Sequence, residues 1–131
     1  IFGVMATSDP GSGIDMYLGS GGAPEGVLAA AALQSIGGQI QGKLLFRNDD
    51  EIARARRLGI EDLDRVYSRD DLASGDVIFA ATGVTDGAML KGVRRHGDRA
   101  ETHSIVMRSI TGTVREVITR HNFSRKPGGT D

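Results

Sequence analysis

Ile14-Asp15-Met16-Tyr17-Leu18, Gly19-Ser20-Gly21-Gly22-Ala23-Pro24-Glu25-Gly26 and Val27-Leu28-Ala29-Ala30-Ala31-Ala32-Leu33-Gln34-Ser35-Ile36 run on without interruption, and their reading decides the fold. The first five residues alternate apolar and polar, which predicts a strand over 14–18. The last ten are rich in Ala and Leu, with no β-branched run after Val27. They close on Gly37-Gly38, so a short buried helix with a glycine stop is predicted over 27–36. Strand, glycine turn and helix in that order form the building unit of α/β proteins, and such a turn is where those folds place ligands.

The turn has its own chemistry. Gly19, Gly21 and Gly22 let backbone approach a ligand closely, and Pro24 suits a first helical turn, where its missing N–H costs nothing. Unpaired N–H groups and the positive helix end favour an anion such as phosphate. Glu25 is stabilised by the same dipole, yet it would repel a phosphate unless a cation sat between them. Two readings stay open at this point. In one, the glycine backbone serves a phosphate and Glu25 serves a divalent metal. In the other, the segment is a plain tight turn and Glu25 complements the helix dipole.

Two similar patterns fail. Gly19-x-Gly21-x-x-Pro24 lacks the third glycine of a dinucleotide fingerprint. Gly37-x4-Gly42-Lys43 is followed by Leu44 instead of Ser or Thr, and it lies after a helix and before a strand, the reverse of a phosphate-binding loop.

Outward from the turn, strands and helices alternate. Lys43-Leu44-Leu45-Phe46 predicts a brief strand. A helix follows from Asp49-Asp50-Glu51, acidic at its start and basic at Arg54, Arg56 and Arg57, and it ends at Gly59. Val66-Tyr67 reads as a short extended piece. Residues 76–82 are the strongest strand and apolar enough to predict cover on both faces. Gly83 to Gly87 is a loop. Residues 102–110 and 113–120 alternate and predict an antiparallel pair turning at Thr111-Gly112. The fold class is α/β: a mixed sheet with flanking helices, parallel early and antiparallel late.

Composition sets the outer bounds. The chain has 131 residues, 19 glycines, no cysteine and a formal net charge of -1. That size suits one domain, and the absence of cysteine excludes disulfides, thiolate zinc sites and a cysteine nucleophile. No apolar run is long enough to span a membrane, so no membrane partner and a cytoplasmic location are expected. The chain opens on Ile1-Phe2-Gly3-Val4-Met5, which predicts a start inside an element of something longer. Residues 124–131 have the composition of a flexible tail, leaving 1–123 as the α/β domain.

Charge is uneven, with 7 Lys and Arg against 13 Asp and Glu in residues 1–90, and 9 against 4 in residues 91–131. The basic end has few aromatics for stacking on bases, so no nucleic-acid partner is expected. A solvated face is the plain reading, and a wall facing an anionic small molecule or an acidic subunit is the other.

His96, His103 and His121 lack the spacing of a metal motif. Ser104 lacks the glycine-flanked elbow of a nucleophile, and on a strand it would point away from His103. Thr82, Thr85 and Asp86 occupy a ligand-facing strand end, where local caps for a glycine turn are the commoner role.

The blocks IDMYLGSGGAPEGVLAAAAL (14–33), GGQIQGKLLF (37–46), FAATGVTDGAML (79–90), THSIVMRS (102–109) and TGTVRE (111–116) carry a specific likeness. Together they resemble the carboxy-terminal part of the class II fructose-1,6-bisphosphatases, a bacterial group that includes bifunctional fructose/sedoheptulose bisphosphatases. The resemblance implies the second half of a sugar-phosphatase fold related to the lithium-sensitive, metal-dependent phosphatases. It implies hydrolysis of the 1-phosphate of fructose 1,6-bisphosphate, in gluconeogenesis or the Calvin cycle, with Mg²⁺ or Mn²⁺ as cofactor and a homo-oligomer as the assembly. Carried onto this chain, the family's GGAPEG motif falls on Gly21 to Gly26. Glu25 then corresponds to a divalent-metal ligand and Gly22 to a backbone contact with substrate. The remaining acidic ligands and catalytic groups are expected upstream of Ile1, in an amino-terminal metal-binding domain or another subunit. The alternative is a non-catalytic sugar-phosphate-binding or subunit-interaction module.

Overall fold

The computed structural model describes residues 1–126. Four helices and six strands follow in the order α1 (Phe2–Ala6), α2 (Ala23–Ile36), β1 (Gln41–Lys43), α3 (Asp49–Arg57), β2 (Val66–Ser68), α4 (Arg69–Leu72), β3 (Ile78–Thr82), β4 (Arg94–His96), β5 (Arg99–Arg108) and β6 (Thr113–Asn122). Short 3₁₀ turns occupy Pro10–Ser12 and Phe123–Arg125.

Helix α2 starts four residues before the predicted Val27, with Gly22 as its N-cap and Pro24 in the first turn. Gly37 stops it in the left-handed conformation, and the N–H groups of Gly37 and Gly38 both donate to the Leu33 carbonyl, at 2.8 and 3.0 Å. Small Ala29, Ala30 and Ala32 bring the helix close to its neighbours, with Leu33 the large side chain buried among them. Helix α3 is held by local chemistry instead of burial, since only its Ala55 is buried. The Asn48 side chain caps the Glu51 N–H at 2.9 Å, and the charges run acidic to basic along the dipole. The short α4 rests on a capping box between Ser68 and Asp71.

β1 and β2 form a two-stranded antiparallel ribbon. In the larger sheet β5 is central, with β6 along one side over its whole length and both β3 and β4 on the other. Opposed residues share a face of a sheet. One face therefore carries Phe79, Ala81, Ile105 and Met107, and helices α1 and α2 cover it. Met5, Ala32 and Leu90 join these residues in the core, with Ile36 and Met89 packed at its edge.

The α/β class with flanking helices holds, but five expectations need correction. Every strand pairing among the described residues is antiparallel, so the early parallel pairing is not formed. Residues 14–18 are not a strand: no strand among the described residues takes their backbone groups, and Met16 and Leu18 are 73% and 85% exposed. β3 is covered on one face only, because Ile78, Ala80 and Thr82 point away from the helices. The strand predicted at 43–46 ends at Lys43, leaving Leu45 exposed, and the β5–β6 turn takes four residues, 109–112. Of the expected tail, Ser124 and Arg125 continue the 3₁₀ turn and 127–131 lie outside the described residues.

Five carboxylates at or near the surface are held below their ordinary range by neighbouring donors. These are Glu51 by Arg47, Asp64 by Lys43, Asp71 by Ser68, Asp76 by Arg108 and Asp86 by Arg94. A folded pKa below the unfolded one gives stability that is complete above the unfolded value and lost as pH falls through the folded value. Melts followed by circular dichroism should therefore show the midpoint dropping as pH is lowered below about 4. A midpoint that holds or rises on acidification would contradict these pairings.

Candidate functional site

The site read from the sequence lies at the amino end of α2. Gly22 has extended backbone (φ -69°, ψ 149°), and its carbonyl accepts the Gly26 N–H at 3.2 Å, the first bond of the helix. Glu25 stands in the first turn and folds back over Gly22. A Cβ at position 22 would collide with a Glu25 carboxylate oxygen and would also meet the Pro24 ring at 3.6 Å. A larger residue there would push the exposed Glu25 side chain aside. Both residues are exposed, so the carboxylate and the turn's backbone face solvent together.

The donor set can be tested against a divalent cation. Glu25 offers hard carboxylate oxygens, the type that Mg²⁺ and Mn²⁺ take. No group of three or more His, Asp or Glu able to hold a metal exists among the described residues. Glu25 is thus fit to supply one ligand, and the described residues do not complete the sphere.

Among the described residues Asp86 forms no group of three metal-ligating side chains with this carboxylate. Asp86 instead closes its own loop. Its carboxylate accepts the Gly92 N–H at 2.9 Å and the Arg94 Nη2 at 2.8 Å from both oxygens. Thr82 pairs its hydroxyl with Ser104 at 2.8 Å. These are the local roles. The loop closes because two glycines let backbone touch backbone: a Cβ on Gly92 would sit 2.6 Å from the Thr85 carbonyl carbon, and one on Gly83 would strike the Lys91 carbonyl. Backbone atoms cannot rotate aside as a side chain can. Gly92→Ala should cost about 1–3 kcal/mol of stability by denaturant titration. An unchanged midpoint would refute the close crossing.

The three histidines stay apart from one another as metal ligands. His103 Nδ1 accepts the Lys91 N–H at 3.1 Å, which anchors the loop and places the ring proton on Nε2. Nε2 is buried without a hydrogen-bond partner, 3.7 Å from Glu116. His121 meets Thr102 at 3.0 Å and Lys126 at 3.1 Å. His103 and Ser104 point to opposite faces, as strand alternation requires. The crossing of Gly83 and Gly92 was not readable beforehand, since it joins residues separated by a loop; the Asp86–Arg94 pair at its neck was the available signal.

Comparison with known proteins decides the family. Residues 1–121 match the family described as bacterial fructose-1,6-bisphosphatase, glpX-encoded. The chain belongs to this family. It is 40% identical over 126 residues to the D-fructose 1,6-bisphosphatase class 2/sedoheptulose 1,7-bisphosphatase of Trichodesmium erythraeum (strain IMS101), covering 86% of this chain and 36% of that protein. The protein numbered 2 of the same description from Acaryochloris marina (strain MBIC 11017) matches at 40% over the same shares. The one from Synechococcus sp. (strain JA-2-3B'a(2-13)) is 43% identical, covering 85% of this chain and 36% of its own length. This member of the bisphosphatase family therefore spans about a third of the length of the curated relatives it matches.

Proposed function

We propose that the chain supplies one edge of a metal-dependent sugar-bisphosphatase site. The reaction is hydrolysis of the 1-phosphate of fructose 1,6-bisphosphate, giving fructose 6-phosphate and phosphate, and sedoheptulose 1,7-bisphosphate is a second substrate suggested by the names of the relatives. The observation that carries the reading is Glu25 folded onto the Gly22 backbone at a helix amino end, in a chain of this family. Glu25 would give one carboxylate to Mg²⁺ or Mn²⁺, which supplies Lewis acidity at the phosphoryl oxygen and a more acidic bound water. Gly22 places backbone against the substrate, and the first-turn N–H groups, free of intrahelical partners, stabilise its negative charge. The setting is a cytoplasmic, oligomeric enzyme.

A second reading is a sugar-phosphate-binding or subunit-interaction module, favoured by the lone carboxylate and by the bare sheet face at Ile78 and Ala80. The two part on turnover. The 131-residue chain alone, given fructose 1,6-bisphosphate with Mg²⁺ or Mn²⁺, should release no phosphate above the blank. Combined with the remaining two thirds found in its relatives it should be active. Turnover by the chain alone would overturn the proposal, and inactivity of the longer protein would favour the module. Gly22→Ala in the longer protein should raise KM and lower kcat together, because the new Cβ displaces the Glu25 carboxylate as it covers the backbone. Unaltered kinetics would remove Gly22 from the site.

A further inference from the structure

The sheet face that carries the core changes character along its length. Met107 with Val114 and Ile105 with Glu116 lie at the covered end, and His103 with Ile118 mark the border. Beyond it come two polar rows, Arg94–Glu101–Arg120 and His96–Arg99–Asn122, each running across three strands. These six side chains share one face and line a concavity of about 560 Å³. That is within the size range of small-ligand pockets.

We propose that this end of the sheet binds a small phosphate-bearing anion, with Arg94, Arg99 and Arg120 as its donors. Arg94 is held by Asp86 through Nη2 alone, and Arg120 is held by Glu101 through Nε at 3.2 Å. Each carboxylate fixes its guanidinium and leaves other N–H groups free. Arg99 has no carboxylate within salt-bridge distance among the described residues. Three guanidiniums against the two carboxylates Asp86 and Glu101 leave an uncompensated cation at Arg99, before His96 is counted. Adjacent strands are about 4.8 Å apart and alternate residues about 7 Å, so long arginine side chains from both rows can converge on one tetrahedral anion. Guanidinium forks fit phosphate oxygens in pairs, which a lysine cluster would not do.

The nearby aromatic, Phe123, is engaged with Arg95 and Lys126 at 5.3 and 5.1 Å and stacks with His121. It is not presented to a base, so a small anion suits the face better than a nucleic-acid strand.

The test is an NMR titration of the labelled 131-residue chain with inorganic phosphate, fructose 6-phosphate and, at matched ionic strength, chloride. Saturable shifts are expected at Arg94, Arg99 and Arg120 with both phosphates and not with chloride. A tighter response to fructose 6-phosphate identifies a sugar phosphate as the ligand, and an equal one identifies the phosphoryl group alone. Arg99→Gln, an exposed substitution, should weaken binding roughly tenfold, the loss of one charge-assisted contact. Arg115→Gln, on the opposite face, should leave binding unchanged. Shifts that chloride reproduces, or that Arg99→Gln leaves intact, would overturn the proposal without touching the reading of Glu25.

Discussion

Glu25→Gln, placed in a chain that carries this segment with the remaining two thirds of its relatives' length, is expected to lower phosphate release by about 100-fold or more while the fold survives. The substitution keeps the size and removes the charge. Outer partners of metal ligands already cost about 10–100-fold when mutated, so a ligand lost from the metal itself belongs at or beyond the upper end. Stability should hardly change, because Glu25 is exposed and its only structural contribution is to the helix dipole, about 0.3–1 kcal/mol. That asymmetry separates the two roles of the residue. A dipole-complementing glutamate would show the small stability loss and keep its turnover across a metal titration.

Leu33→Ala carries the largest expected effect on stability, about 2–5 kcal/mol. Leu33 is 0% exposed on α2, so truncating its side chain opens a cavity in the interior. Its Cδ2 also lies against Gly38, where an added Cβ would strike it, so the helix end and the core share this side chain. At roughly 4 °C per kcal/mol for a chain of this size, the melting midpoint should fall by about 8–20 °C. Leu33→Met, which conserves volume, should cost less than about 1.5 kcal/mol. Leu28→Ala, on the exposed side of the same helix, should stay within about 0.5 kcal/mol. Equal losses at positions 28 and 33 would contradict the packing.

Local signals were legible before the structure. Helix α3 announced itself by acidic residues at its start and arginines at its end, and α2 by its alanines and glycine stop, because caps and dipoles act within a turn. The β5–β6 pair was legible from alternation, which β5 turns into burial of Ile105 and Met107 toward the helices, whereas β6 is exposed along most of both faces. Residues 14–18 alternate just as well and still form no strand. Alternation describes a surface, and a strand also needs a partner for its backbone. β3 misled in the opposite direction: its apolar run predicted two covered faces, and the second has no layer against it. β4, Arg94–His96, carries no apolar residue at all and exists only because β5 pairs with it. α4 was not expected from the sequence, although the capping box of Ser68 and Asp71 that holds it is local.

At the candidate site, the roles proposed for Glu25 and Gly22 rest on the GGAPEG motif at 21–26, and the fold of Glu25 over Gly22 is a contact within three residues that the sequence reading does not contain. The loop neck at Gly83 and Gly92 and the convergence of Arg94, Arg99 and Arg120 depend on register across strands, which spacing along one strand does not encode.

Mn²⁺ binding by the longer chain, measured by electron paramagnetic resonance for the wild type and Glu25→Gln, tests the central claim most directly because it needs no turnover. Loss of bound Mn²⁺, or weakening by at least about tenfold, is the predicted result. Equal stoichiometry and affinity in the two proteins would show that Glu25 is not a metal ligand.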